Sequence, residues 1–176
     1  LFMGRLASQK NPLRLVRCAA LLRERMPDFT LDIYGDGELR DEVEKAIESA
    51  GLNDCVRLRG FTSDKEVYRR YSLLWMTSAC EGFGLALIEA MANGTPVVTT
   101  HWGDAAFEVV RQGETGFVAE TDEEFVACSF DLLDDSEKLA AFSRNALDDF
   151  RHRFTRTVNK QAWHLILDEE FGLGLS

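Results

Sequence analysis

Short apolar runs alternate along the chain with longer segments of helical periodicity. The apolar runs predict six β-strands: Leu1–Gly4, Thr30–Tyr34, Cys55–Arg59, Ser72–Thr77, Pro96–Thr100 and Phe117–Ala119. Parallel strands need crossover connections, and the helical segments between the runs supply them. The pattern therefore predicts an α/β fold, in which a Rossmann-like, doubly wound six-stranded parallel sheet is covered by helices on both faces.

Several helices have recognisable ends in the sequence. The first begins at Asn11 and Pro12, a favoured N-cap and first residue, and continues toward Met26. Ser63 and Glu66 have the spacing of a capping box that would start another helix. Three further ranges have helical periodicity: Glu38–Ser49, Gly84–Asn93 and Ala105–Arg111. After the sixth strand the chain is predicted to be helical, with helices that begin near Thr121, Ser136 and Thr155.

Composition and charge narrow the classes of function. The chain has 176 residues, of which 45% are hydrophobic and 28% charged, as expected for one globular domain. Its formal net charge of −10 argues against the broad basic surface that binds nucleic acid or anionic lipid. An anionic ligand would therefore have to be held by a local cationic pocket.

The cysteines and the apolar runs indicate the compartment. Four cysteines are far apart in sequence and form no Cys-x-x-Cys pair, which argues against a zinc site and favours a reducing cytoplasm. No apolar run approaches the roughly 18 residues that a membrane-spanning helix needs. The chain starts with Leu1 inside a strand-like run, and we interpret it as a fragment of a longer polypeptide.

If the sheet has the usual strand order of doubly wound folds, two loops are singled out. In the order 3-2-1-4-5-6 the first and fourth strands are neighbours, and ligands bind beyond their carboxyl ends, where the winding reverses. The loop after the first strand carries Arg5 and Lys10, whose charges suit a diphosphate. Solvated loop charges are the alternative interpretation.

The loop after the fourth strand contains two carboxylates and a glycine-rich turn. Gly82 and Gly84 let the backbone approach a ligand, and the amides of Gly84 and Leu85 at a helix start could bind an anion. Glu81 and Glu89 would be about 12 Å apart on a continuous helix, a separation that suits two sugars bridged by a diphosphate. A capping Glu81 and a solvent-facing Glu89 are the structural alternative.

This spacing resembles the Glu-x7-Glu signature of the retaining family 4 glycosyltransferases of the GT-B fold. Motifs that resemble the C-terminal domain of that family run in order along roughly the whole chain: Gly4-Arg5 with Lys10, Gly35-Asp36-Gly37, Gly60-Phe61, Glu81-Gly82-Phe83-Gly84, Glu89-Ala90-Met91-Ala92, Gly94-Thr95-Pro96-Val97-Val98 and Gly113-Glu114-Thr115-Gly116. One departure is His101-Trp102-Gly103-Asp104, where the family usually has a Gly-Gly pair.

The resemblance implies that residues 1–176 form the donor-binding domain, the C-terminal half of a GT-B fold with additional C-terminal helices. It implies catalytic roles for Arg5 and Lys10 at the diphosphate and for Glu81 at the transferred sugar. Glu89 would bind the ribose. The other implied donor contacts are Gly4, Phe61, Gly82, Phe83, Gly84 and Leu85. An acceptor-binding N-terminal domain would be missing from this chain, and the final helix is expected to pack against it.

The implied reaction moves a sugar, with retention, from a nucleoside diphosphate sugar to a hydroxyl of a glycan or lipid-linked acceptor. Polysaccharide, glycan or glycolipid synthesis would be its setting, in the cytoplasm or peripheral to a membrane. No Asp-x-Asp motif occurs in the sequence, so we expect no metal and no cofactor. Two alternatives remain open: a nucleotide-binding regulatory or scaffolding module, and a nucleotide-sugar epimerase. Binding of NAD is disfavoured, because Arg40 replaces the third glycine of a dinucleotide fingerprint.

Overall fold

The computed structural model of this chain describes residues 1–161 and residue 164. Its parallel sheet has the six strands that the sequence predicts, in the order 3-2-1-4-5-6 that is usual for doubly wound sheets. The strands are β1 (Phe2–Met3), β2 (Leu31–Tyr34), β3 (Val56–Gly60), β4 (Leu74–Met76), β5 (Val97–Thr100) and β6 (Gly116–Ala119). The doubly wound α/β fold is therefore confirmed, and β1 and β4 are neighbours at its centre.

The helices follow the predicted order. They are α1 (Pro12–Arg25), α2 (Arg40–Ser49), α3 (Leu85–Ala92), α4 (Ala105–Val109), α5 (Asp122–Asp134) and α6 (Ser136–Arg153). The Asn11 side chain caps α1 by accepting a hydrogen bond from the amide of Arg14 at 3.3 Å. Thr121 and Asp135 cap α5 and α6 in the same way. Short 3-10 helices span Ser8–Lys10 and Val67–Arg70.

The predicted capping box at Ser63 and Glu66 is wrong. The Asp64 carboxylate accepts the amide of Glu66 at 2.9 Å, and the Thr62 hydroxyl accepts the amide of Asp64 at 3.1 Å. Such local side-chain bonds stabilise turns in competition with a helix. Only the short 3-10 helix at Val67–Arg70 forms here, and its N-terminus has no side-chain cap.

The start of α2 differs from the sequence pattern, whereas the last predicted helix begins as expected. Helix α2 begins at Arg40, later than predicted, because the Leu39 amide donates to the carbonyl of Leu6 at 2.9 Å. A last helix covers residues 156–161. The sequence predicts that Val158, Ala162, Leu165 and Ile166 form one apolar stripe on the helix after Thr155. Val158 lies in the described part of this helix, and the other three residues lie outside the described residues.

Each face of the sheet packs against its own buried cluster. Side chains of successive strand residues point to opposite faces, so Trp75 of β4 joins one cluster and its neighbours Leu74 and Met76 join the other. The first cluster includes residues of α1, α2 and α5, with Trp75 packed edge-on against Phe125 at 5.1 Å between ring centroids. The second includes residues of α3 and α4 and Ala146 of α6. No helix in the described part of the chain is long and apolar enough to cross a membrane.

Candidate functional site

The two loops singled out by the sequence are joined by hydrogen bonds. The Ala79 amide donates to the carbonyl of Gln9 at 2.9 Å, and the Gln9 side chain donates to the carbonyl of Cys80 at 3.0 Å. Behind them the buried Thr77 hydroxyl lies 3.2 Å from the carbonyl of Lys10. The loops after β1 and β4 therefore form one edge of the sheet and hold each other in place.

The predicted catalytic residues Lys10 and Glu81 form an ion pair across these loops. The Glu81 side chain is 9% exposed and the Lys10 side chain 21% exposed. The Ser78 hydroxyl also donates to Glu81, at 2.5 Å and to the same oxygen, Oε1. The charge of Lys10 is thus compensated within the protein, while Glu81 Oε2 is the oxygen that these two bonds leave to other donors.

Glycines set the shape of the first loop. At Gly35 a methyl group would lie 1.9 Å from the carbonyl oxygen of Gly4, and at Gly37 it would lie 2.4 Å from that of Leu6. These contacts explain the Gly35-Asp36-Gly37 motif as a close approach between two backbones. They position the main chain at Gly4, next to which Arg5 is exposed to solvent.

Helix α3 starts at the second loop. Gly84 precedes it in the left-handed region with φ 70°, and an added methyl group there would lie 3.2 Å from side-chain atoms of both Leu87 and Trp102, which would have to shift. Gly82, Phe83 and Leu85 are exposed. The amides of the first helical turn lack partners within the helix, so the helix start retains the donors that the predicted anion site requires.

The His101–Asp104 segment, where the resemblance leads one to expect a Gly-Gly pair, is built around Trp102. Trp102 is 8% exposed and donates its indole N–H to the Thr99 hydroxyl at 3.1 Å. His101 pairs with Glu120 at 2.9 Å. The indole therefore packs against the turn at Gly84 and does not project into the space beyond the ends of β1 and β4.

Glu89 on α3 is held by two side chains. The Tyr68 hydroxyl donates to Oε2 at 2.8 Å, and the Lys65 ammonium lies 2.6 Å from Oε1. The Glu89 side chain is 36% exposed. Its carboxylate is consequently oriented by the segment after β3, and it is not simply a solvent-facing charge.

Aromatic side chains stand at the same edge of the sheet. Gly60, with φ 71°, ends β3, and the next residue, Phe61, is 83% exposed. Phe83 is 47% exposed and contacts the Phe154 ring edge-on at 6.4 Å between centroids. These apolar surfaces are available for contact with a ligand or a partner.

Sequence reasoning missed three residues of this site: Ser78, Lys65 and Tyr68. A buried tyrosine usually needs a hydrogen-bond partner, which is a signal that Tyr68 contacts a polar group. The identity of that partner depends on the fold, since Tyr68 and Glu89 lie on separate elements.

In the part of the chain that the structure describes, no group of three or more His, Cys, Asp or Glu residues is arranged to hold a metal ion. Metal-independent chemistry stays a prediction that needs a binding experiment.

Comparison with known proteins gives consistent similarities. The family model described as Glycosyl transferases group 1 matches residues 1–149. The poly(glycerol-phosphate) alpha-glucosyltransferase of Bacillus subtilis is 32% identical over 170 residues, which are 95% of this chain and 25% of that protein. Anabaena HepE in complex with UDP and glucose has a TM-score of 0.83 and 28% identity, over 94% of this chain and 47% of that one. The C-terminal domain of a group 1 family protein from Francisella tularensis has a TM-score of 0.78 and 25% identity, over 88% of this chain and 85% of that one.

Proposed function

Because the chain belongs to the glycosyl transferases group 1 family, we propose that it binds the nucleoside diphosphate sugar of a retaining glycosyltransferase. The observation that carries this proposal is the joining of the β1 and β4 loops through Lys10 and Glu81. A cation for phosphate and a carboxylate for sugar hydroxyls meet where ligands of doubly wound sheets bind. HepE, which is similar to this chain, was solved with UDP and glucose.

In this proposal the diphosphate lies between the first loop and the start of α3. Arg5 and Lys10 provide positive charge, and the amides of Gly84 and Leu85 provide hydrogen bonds. The negative charge on the leaving phosphate grows as the glycosidic bond breaks, so these groups would stabilise the transition state more than the bound donor. Lys10 is paired with Glu81 in the free protein, and a phosphate would share that ammonium.

The two ends of the donor are assigned to the two carboxylates. Glu81 would accept hydrogen bonds from hydroxyls of the transferred sugar, alongside the main chain at Gly82 and Phe83. Glu89 would accept them from the ribose. The exposed ring of Phe61 after β3 would contact the base, because aromatic faces stack well on nucleobases.

The whole protein's reaction is a wider proposal. This chain spans 25% of the Bacillus subtilis relative and 47% of HepE. We place the acceptor site, for a glycan or lipid-linked acceptor, in a further domain N-terminal to these residues. Glycan, polysaccharide or glycolipid synthesis is the proposed setting, in the cytoplasm or peripheral to a membrane.

Replacement of each of the two glutamates by alanine tests these separate roles. Glu89→Ala is expected to weaken nucleoside diphosphate binding by about 1–3 kcal/mol, because a hydrogen bond to a charged group is lost. Glu81→Ala should leave binding of the nucleotide intact and weaken that of the nucleotide sugar. Titration calorimetry with UDP and UDP-glucose on both variants measures this difference, and equal losses for both ligands on both variants would contradict it.

Removal of divalent metal is the second test. Binding of UDP, GDP or ADP should survive EDTA, since Arg5 and Lys10 would balance the diphosphate without a metal. This 176-residue chain should nevertheless transfer no sugar, because the surface that positions the acceptor would lie elsewhere. Calorimetry with and without EDTA, followed by a radiolabelled donor assay, checks both statements.

Three outcomes would count against the assignment. Binding that disappears with EDTA would show that a metal ion helps to hold the diphosphate. Efficient transfer by this chain would place the acceptor site within it. Conversion of the donor sugar without any acceptor would favour an epimerase.

A further inference from the structure

Glu89 has one buried partner and one exposed partner. Tyr68 is 1% exposed, with its ring in the cluster that includes Leu87 and Met91. Its hydroxyl reaches out of this cluster to Glu89 Oε2 at 2.8 Å. The Lys65 side chain, by contrast, is 73% exposed and lies against Oε1. The buried Tyr68 therefore holds one oxygen of the Glu89 carboxylate, and the exposed, flexible Lys65 side chain covers the other.

Hydrogen bonds join the segment that carries Tyr68 to the C-terminal end of α3 and the residues after it. The Asn93 side chain donates to the carbonyl of Lys65 at 3.1 Å and to that of Glu89 at 2.8 Å. The Thr95 hydroxyl donates to the carbonyl of Tyr68 at 2.9 Å, and this bond is buried. Tyr68 is thus fixed both by its ring and by its main chain, independently of the carboxylate.

The direction of the hydrogen bond is also fixed. Burial, and next the hydrogen bond to Glu89, raise the pKa of Tyr68 far above its ordinary value. The phenol consequently remains protonated and donates to the carboxylate throughout the neutral pH range. Donation to Oε2 restricts rotation of the Glu89 side chain and leaves Oε1 facing the exposed side, where Lys65 lies.

We propose that Tyr68 is a positioning residue for donor binding, which orients Glu89 so that Oε1 accepts the ribose hydroxyls while the flexible Lys65 moves aside. This inference rests on the proposed function of Glu89. Tyr68 lies outside the loops after β1 and β4, on the segment between β3 and β4. A fixed carboxylate loses less conformational freedom when the ligand binds, so affinity is higher than with a rotating one.

The test uses Tyr68→Phe, which retains the ring that fills the core and removes only the hydroxyl. UDP is the probe, and its dideoxyribose analogue, which lacks both ribose hydroxyls, is the comparison ligand. Tyr68→Phe is expected to weaken UDP binding by about tenfold, the range for a hydrogen bond to a charged group. It should leave binding of the dideoxy analogue unchanged. The calorimetric stoichiometry counts the folded fraction, so a partly unfolded preparation still gives a dissociation constant.

Tyr71→Phe is the matched control. Tyr71 also donates to a carboxylate, that of Asp32, at 2.6 Å, but this carboxylate lies on β2 and not on α3. The control should lose stability and keep its affinity for UDP. In a Glu89→Ala background, Tyr68→Phe should have no additional effect on UDP binding, because its action passes through that carboxylate.

The outcomes separate this inference from the proposed function. UDP affinity unchanged in Tyr68→Phe, or an equal loss for UDP and its dideoxy analogue, would overturn the positioning role alone. A full additional loss in the Glu89→Ala background would also overturn it. Failure of the unmodified chain to bind UDP, GDP and ADP would instead reject the nucleotide site itself, and the inference with it.

Discussion

Gly35→Ala is expected to lower the free energy of unfolding by at least about 4 kcal/mol, which is exceptionally large for a single substitution. The backbone at Gly35 has φ 133°, and an added methyl group would lie 1.9 Å from the carbonyl oxygen of Gly4. Hydrogen bonds restrain the backbone at both Gly35 and Gly4. The Gly35 amide donates to the carbonyl of Gly60 at 2.8 Å, and the Gly4 amide donates to that of Tyr34 at 3.0 Å. Relief of the clash would therefore break hydrogen bonds on either side of β2.

Gly51→Ala provides the control for this effect. Gly51 also has a positive φ, 68°, but no atom lies within 4 Å of the position that a methyl group would take. Its substitution should cost only about 1 kcal/mol, from the strained backbone alone. Urea unfolding of both variants measures the difference. A Gly35→Ala variant no less stable than Gly51→Ala would show that the first loop can move aside.

Lys10→Met is expected to lose both stability and donor binding. Removal of one partner of a buried ion pair typically costs 3–5 kcal/mol, and we expect about 2–3 kcal/mol because Lys10 is partly exposed. The cost arises from Glu81, which is 9% exposed and would keep only the hydrogen bond from Ser78. Affinity for a nucleoside diphosphate should fall as well, by about tenfold or more, with the loss of a charged phosphate contact.

A double variant separates the two effects. Lys10→Met combined with Glu81→Gln removes both charges, so the stability should return toward that of the unmodified chain. Binding of the diphosphate should remain weak, since the cation is still absent. Urea unfolding and calorimetry with UDP measure these quantities. Restored affinity in the double variant would indicate that Lys10 serves the fold rather than the ligand.

Most of the predictions that the structure confirms rest on patterns among residues that are close in sequence. The β-strands alternate with helices, which is a pattern over neighbouring residues, and it predicted the six strands of a doubly wound sheet, whose usual strand order the structure has. Asn11 with Pro12 predicted the start of α1 for the same reason. The two motif loops followed from the strand order, because adjacent parallel strands end at one edge.

The failures have two physical causes. At Ser63 the capping-box spacing competed with turns made by Thr62 and Asp64, and sequence spacing does not rank such local alternatives. The partners of Glu89 are set by how α3 packs on the segment after β3, 21 residues away for Tyr68. Contacts between elements depend on packing angles and side-chain rotamers, which a single sequence does not contain.

The separation of the buried clusters by the sheet has a consequence for cooperativity. Lys10 leads into α1 on one cluster, and Glu89 lies on α3 over the other. Layers of a protein can open as separate units with different free energies, and a ligand that binds only the closed form stabilises whatever must be closed to bind it. A donor held at both residues requires both layers at once. Occupancy of the donor site would therefore couple the opening of the two layers, in addition to the coupling that the shared strands and α6, with Phe142 in one cluster and Ala146 in the other, already provide.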